Sequence, residues 1–276
     1  MSEDDGIEEL VTEEMLWDRI PEVEGEERAS TYYELSARIY ARGQYDEALA
    51  LAETARDIYS QLGESVSSEG LAQAYSAIGY NLNQLKRMDE AANAMSKAVE
   101  ILRENKSPIA LELACTLGEW WYSSKNYEKA IEAFKEARSL FKRNKEVIHV
   151  ARCDQKMASC LIELGQGELA LETARKAVDV FETGHDHRRE TFASFEFGKA
   201  QILLEKYDEG LATLENVLAI VSEDEPKDFE FIVDIESRIA KILRMQGRAD
   251  EADEIERRLK SVQEALEDEP ELDLLN

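Results

Sequence analysis

The sequence predicts an all-α chain, a solenoid of six antiparallel helix pairs, and three observations support this. One helix-opening pattern returns six times: YDEALALAETA (45–55), MDEAANAMSKA (88–98), YEKAIEAFKEA (127–137), GELALETARKA (167–177), YDEGLATLENV (207–217) and ADEADEIERRL (249–259). The starts lie 43, 39, 40, 40 and 42 residues apart, a period that marks stacked repeats rather than a domain with one central core. The 276 residues include only four prolines and thirteen glycines, too few for a turn-rich all-β domain.

Residues 1–27 open on SEDDGIEE and then set Leu10, Val11, Met15, Leu16 and Ile20 at roughly helical spacing before Pro21. They form an acidic segment with a short amphipathic helix, which either caps the first repeat or docks on something else. The terminal hydrophobic face of an array needs cover, and this favours the cap. The array runs over 28–265. Each second helix is preceded by a first helix with its own core: Leu35, Ser36 and Ile39; Ile78, Gly79 and Leu82; Leu117, Gly118 and Trp121; Met157, Ala158 and Leu161; Phe197 and Gly198; Ile239, Ala240 and Leu243.

A small residue at the fourth place of every second helix (Ala48, Ala91, Ala130, Ala170, Gly210, Ala252) faces a small residue of the first helix (Ser36, Gly79, Gly118, Ala158, Gly198, Ala240), so two backbones can nest. The turns are short and marked by Gly43, Asn126, Gly165 with Gly167, and Gly247. Acids at 46, 89, 128, 168, 208 and 250 meet the positive end of each second helix, and Ser107-Pro108 reads as an N-cap with proline at the first helical position. Of Trp120 and Trp121 only one can point into its own hairpin. Trp121 is placed there and Trp120 against the neighbouring hairpin. Residues 266–276 form an acidic tail whose LDLLN end either packs on the last helix or serves as a short linear motif.

With these registers in phase, the chain resembles the tetratricopeptide repeat (TPR) family in its extended, roughly 40-residue variety. The family pattern is met most fully by Leu117, Gly118, Trp121, Tyr127, Ala130, Phe134 and Ala137, and least well at Gly167 and Ala249, where an aromatic is usual. The resemblance implies a right-handed superhelix whose concave groove is lined by first helices. It puts Tyr33, Tyr40, Tyr80, Asn83 and Tyr122 on the groove in the first three repeats. In the last three it puts Arg152, Lys156, Phe195, Lys199, Arg238, Lys241 and Arg244 there. The earlier part is aromatic and acidic; the later part gathers bases and is expected to hold an acidic or carboxylate-bearing ligand. The clamp that some family members close on chaperone C-termini is not expected, because Tyr33, Ala37 and Ala77 stand where its Lys and Asn residues belong.

The formal charge is −27, concentrated at the ends: residues 1–27 carry twelve acids and one base, and 264–276 carry six acids and no base. Such a chain repels phosphate backbones, so no direct nucleic-acid binding is expected. Three cysteines without a CxxC pair suit a reducing compartment. The acidic stretch from Met1 to Leu10 is not a secretory leader, and no apolar run is long enough to span a bilayer. A cytoplasmic protein is expected.

His185-Asp186-His187 reads as a helix start rather than a metal site, no phosphate-binding loop or nucleophile motif is present, and neither metal nor cofactor is expected. The expected function is that of a non-catalytic scaffold or adaptor, holding a partner peptide or helix in the groove. The alternatives are a peptide- or ligand-responsive regulator and an assembly factor or structural component.

Overall fold

The computed structural model describes residues 12–63, 68–105, 107, 109–223 and 228–268, excepting the side chains of 261–268. Expectations for Leu10, Val11, Pro108 and the tail beyond 268 lie outside the described residues. The elements are α1 (Glu13–Arg19), a 3-10 turn (Ile20–Glu22), α2 (Gly25–Ala41), α3 (Tyr45–Leu62), α4 (Ser68–Gln84), α5 (Met88–Glu104), α6 (Ile109–Ser123), α7 (Tyr127–Arg143), α8 (Val147–Glu163), α9 (Gly167–Thr183), α10 (His187–Leu203), α11 (Tyr207–Glu223), α12 (Phe229–Met245) and α13 (Ala249–Asp268). No strand occurs among the described residues. Helices α2 to α13 make six consecutive pairs in the manner of an α-solenoid. The chain divides into two compact units, Met1–Ala137 and Arg138–Asn276, with the division inside α7.

In the first unit α1 covers the open end of the α2/α3 pair. Leu16 is fully buried among Leu35, Ile39, Ala48 and Leu51, with Ile20 half-buried beside it. Met15 and Trp17 remain exposed, so the cap rests on one side chain and its flank. The Thr12 hydroxyl caps α1 by accepting from the Met15 amide at 3.2 Å. Pro21 falls inside the 3-10 turn rather than just past the helix, because its missing N–H is no loss in a first turn.

The nesting of small residues is direct. Ser36 donates its hydroxyl to the carbonyl of Ala48 at 2.7 Å, in a contact with no exposed surface. A Cβ on Gly79 would stand 3.2 Å from the carbonyl oxygen of Ala91, and one on Gly118 only 2.5 Å from the Phe134 ring. In the second unit a Cβ on Gly210 would meet the Gly198 carbonyl at 3.3 Å. Around this contact the second unit builds one cluster from Leu214, Val217, Ile235 and Ile242 and another from Ala151, Ala177, Phe181 and Ala193. Trp120 lies against Gly79 and Tyr80 of the preceding pair, whereas Trp121 faces its own pair, with Lys129 of α7 over its ring at 4.0 Å.

Eight turns share one geometry. In each, the residue two places before the next helix is left-handed: Gly43, Lys86, Lys125, Lys145, Gly165, His185, Glu205 and Gly247, with φ between 54° and 77°. The amide that follows reaches back five residues, as from Gln44 to Ile39, Asn126 to Trp121 and Lys206 to Gln201, and satisfies a carbonyl the helix end would otherwise leave open. The left-handed residue of the turn before α7 is therefore Lys125, not Asn126. Five of the eight are not glycine, so Cβ crowding near each is tolerated for the sake of the paired carbonyls.

The three cysteines are free thiols, Cys153 and Cys160 buried and Cys115 half-buried. Burial pushes the Cys160 thiol up to about 12.

Gly118→Ala is expected to lower stability by about 1–3 kcal/mol in urea titrations, since the Phe134 ring has to move. Lys125→Gly should raise it by up to about 1 kcal/mol by relieving the left-handed backbone, whereas Lys129→Gly, two residues into α7, should lower it. The raised Cys160 pKa means that folding favours the protonated thiol. Its contribution is complete below the unfolded value near 9 and is lost as pH rises from there toward 12. Between pH 9 and 10 stability should fall by at most about 1.4 kcal/mol per pH unit more than in Cys160→Ala, measured by denaturant titration at each pH.

Candidate functional site

The first helices of a unit lie side by side, α2 next to α4 in the first and α8 next to α10 in the second. Spacings of three, four and seven residues put one set of side chains of each first helix on a common face, opposite the core set.

In the first unit two cross-helix contacts knit this face. Gln84 of α4 donates to the Tyr40 hydroxyl of α2 at 3.1 Å. Tyr80 of α4 hydrogen-bonds with Thr116 of α6 and sets its ring edge-on to Trp120 at 5.3 Å. Tyr80 is 38% exposed, while Tyr33, Tyr40, Asn83 and Tyr122 are half-buried. Burial raises the Tyr80 phenol above its ordinary value of 10.0, the Thr116 hydrogen bond pulls it down, and the Glu112 carboxylate with Tyr40 and Tyr33 raises it further. Tyr40 and Tyr122 each pack edge-on against the tyrosine that opens the next helix, Tyr45 at 5.3 Å and Tyr127 at 5.4 Å.

Three of the six bases expected on the corresponding face of the second unit are engaged by the chain's own acids. Lys199 and Glu196 are both 8% exposed, with Nζ 3.0 Å from Oε2, a pair held by charge without an aligned hydrogen bond. Lys199 also stands 5.1 Å over the Phe195 ring, and Arg238 stands 5.5 Å over the same ring while bonding Asp234 at 2.9 Å. Phe231 stacks on Phe192 and meets Phe195 edge-on, so Phe195 is 5% exposed and part of the core. Arg244 turns to α13, where Asp253 and Glu256 hold it at 2.6 and 2.7 Å. Arg152 and Lys241 remain exposed and have no ion-pair partner among the described residues, and Lys156 is half-buried. Like charges on a predicted face were read from the sequence; the acids that neutralise them, one turn away or on the next helix, were present but could not be paired without coordinates.

Three features lay outside the sequence reading. Arg138 forks onto the buried Asp154 carboxylate at 2.7 and 3.2 Å, and Arg258 reaches the buried Glu236 at 2.6 Å. A cleft of about 350 Å³ opens on the other side of the first unit, between α5 and α7, floored by Leu117 and Trp121 and bridged by Arg103–Glu136 at 3.3 Å. The stretch His185-Asp186-His187, by contrast, is the helix start read from the sequence: Asp186 caps α10 by accepting from the Arg189 amide at 3.2 Å. Among the described residues no group of three His, Cys, Asp or Glu side chains is placed to hold a metal ion, and no helix is long and apolar enough to cross a membrane.

A tetratricopeptide repeat model matches this chain at residues 27–104 and 70–143. Curated protein sequences give no match. Among solved structures, the nearly identical TPR-like repeats of a protein described as a kinesin light chain from Podosopora anserina are 18% identical, with a TM-score of 0.59 over 74% of this chain and 100% of that one. A signal-transduction ATPase with a tetratricopeptide repeat sensor from Pyrococcus horikoshii is 18% identical, with a TM-score of 0.68 over 93% of this chain. This chain spans only 40% of that protein. YrrB, a TPR protein with an unusual peptide-binding site, is 20% identical, with a TM-score of 0.56 over 77% of this chain and 95% of that one. At such identities the likeness is one of fold. Residues 27–143 match the tetratricopeptide repeat family's sequence model, and the chain shares the TPR-like fold beyond them.

Proposed function

We propose that the chain is a non-catalytic scaffold that binds an extended segment or helix of a partner protein on the faces of its first helices. The observation that supports this most is the state of Tyr80. It is a large aromatic side chain, 38% exposed, hydrogen-bonded to Thr116 and braced edge-on by Trp120. It lies outside the hairpin core of α4, which Ile78, Gly79 and Leu82 fill. A rigid tyrosine with one polar end offers much contact area at small entropic loss, which is why this residue is frequent in binding surfaces. YrrB, of similar fold, is described by its peptide-binding site, and that lends the reading weight. In the second unit an acidic partner group would find Arg152 and Lys241, with Lys199, Arg238 and Arg244 already matched by carboxylates of the chain. The net charge of −27 argues against direct binding of nucleic acid, and the protein would act in the cytoplasm.

Selection of twelve-residue peptides from a random library against the full chain should return binders in the micromolar range. Tyr80→Ala should weaken those that use the first unit by about tenfold, the loss expected of an aromatic anchor, and Arg152→Glu those that use the second. Peptides indifferent to both substitutions would place binding elsewhere and overturn the proposal.

A further inference from the structure

We infer that the first-helix face of the unit Met1–Ala137 takes a partner segment rich in lysine or arginine. The inference rests on the peptide-binding role just proposed and adds the chemistry of the partner. It starts from how charge is distributed over the helices. α4 and α6 contain no Lys or Arg at all. Of the two in α2, Arg28 donates to the carbonyl of Val23 at 2.7 Å, and Arg38 stands about 100° around the helix from the middle of the face. The second helices of the same unit do carry cations, and these meet their own acids, as in Lys97–Glu100 at 3.0 Å and Arg103–Glu136 at 3.3 Å. On the first helices Glu34 and Glu112 are exposed and have no ion-pair partner among the described residues.

The second unit shows what complements such a face. At the repeat position three residues before the small residue, Phe195 (before Gly198) carries the ammonium of Lys199 over its ring at 5.1 Å, from one turn further along α10. Tyr33, three before Ser36, holds the same position in α2, and the residue one turn on is the exposed Ala37. Among the described residues no cation of the chain lies over Tyr33, Tyr40 or Tyr80, whereas rings elsewhere in the protein hold Lys129, Arg175 and Lys199 at 4.0 to 5.1 Å. Aromatic faces flanked by carboxylates attract ammonium and guanidinium groups, and here the described residues supply none. Three first helices side by side at about 10 Å spacing span roughly 20 Å, the reach of about six residues of extended chain.

The test uses the full chain and two end-labelled nine-residue peptides, one alternating lysine with serine and one alternating glutamate with serine, read by fluorescence anisotropy. The lysine peptide is expected to bind, less tightly as salt rises, and the glutamate peptide not to bind. Glu34→Gln with Glu112→Gln should weaken the lysine peptide by about three- to tenfold. Ala37→Lys, which offers Tyr33 the cation that Lys199 offers Phe195, should weaken it several-fold, each variant's melting temperature being checked alongside. Glu132→Gln with Glu215→Gln, exposed acids of second helices, should leave it unchanged. Equal weakening by both glutamine pairs would mean that the peptide follows the net charge of the chain, and the inference would fall. Should the glutamate peptide bind and Tyr80→Ala abolish its binding, the peptide-binding role would stand and the preference for cations would be wrong. Should neither peptide bind and library-selected peptides ignore Tyr80, both would be wrong.

Discussion

The close approach of two helix backbones at a pair of small residues is the constraint on which the rest of this protein depends. Ser36 can donate to the carbonyl of Ala48 only because nothing larger than a methyl group stands between α2 and α3. The Phe134 ring can lie over Gly118 only because that position has no side chain. Once the helices touch there, the large residues one turn away have fixed places: Leu35 and Ile39 on α2, Ile78 and Leu82 on α4, Ile239 and Leu243 on α12, all buried. The first helices also pack on the preceding pair, as Trp120 does against Gly79, and the candidate binding surface is the face that both contacts leave over.

The turns hold the pairs in register by a second backbone device. The left-handed residue before each of these eight helices lets the next amide reach five residues back, and this pairing is kept even where Lys, His or Glu has to adopt the conformation. Glycine marks three of the eight such turns, so a reading based on glycine finds fewer than half of them. Asn126 was the natural choice before α7 by residue type, yet the geometry falls on Lys125, because what selects the position is its distance from the helix end.

Charge behaves differently in the two units. In the second, bases gathered on the first helices are matched by Glu196, Asp234, Asp253 and Glu256, and the aromatic Phe195 is sealed beneath Lys199 and Arg238. In the first, tyrosines and acids share a surface on which α4 and α6 place no base. On the surface that looked most specific in sequence, a basic face in an acidic protein, three of the six bases meet acids of the chain. The plainer aromatic face is the one whose chemistry calls for a partner.

The repeat period, the helical class, the small-residue contact and the split of Trp120 from Trp121 were legible in the sequence, because each follows from spacing along one helix or between neighbouring helices. Packing of this kind repeats, and repetition is visible in a single chain. What only the tertiary structure decided was which charged groups meet: Arg138 with Asp154, Arg258 with Glu236, and Arg244 with Asp253 and Glu256 of α13. A long charged side chain sweeps several ångströms, and in a chain with 60 acids and 33 bases each has more than one candidate within that reach. Helical spacing says which face a residue occupies. The neighbour that binds it is set by how the adjoining helices pack, and packing of that kind leaves no period to read.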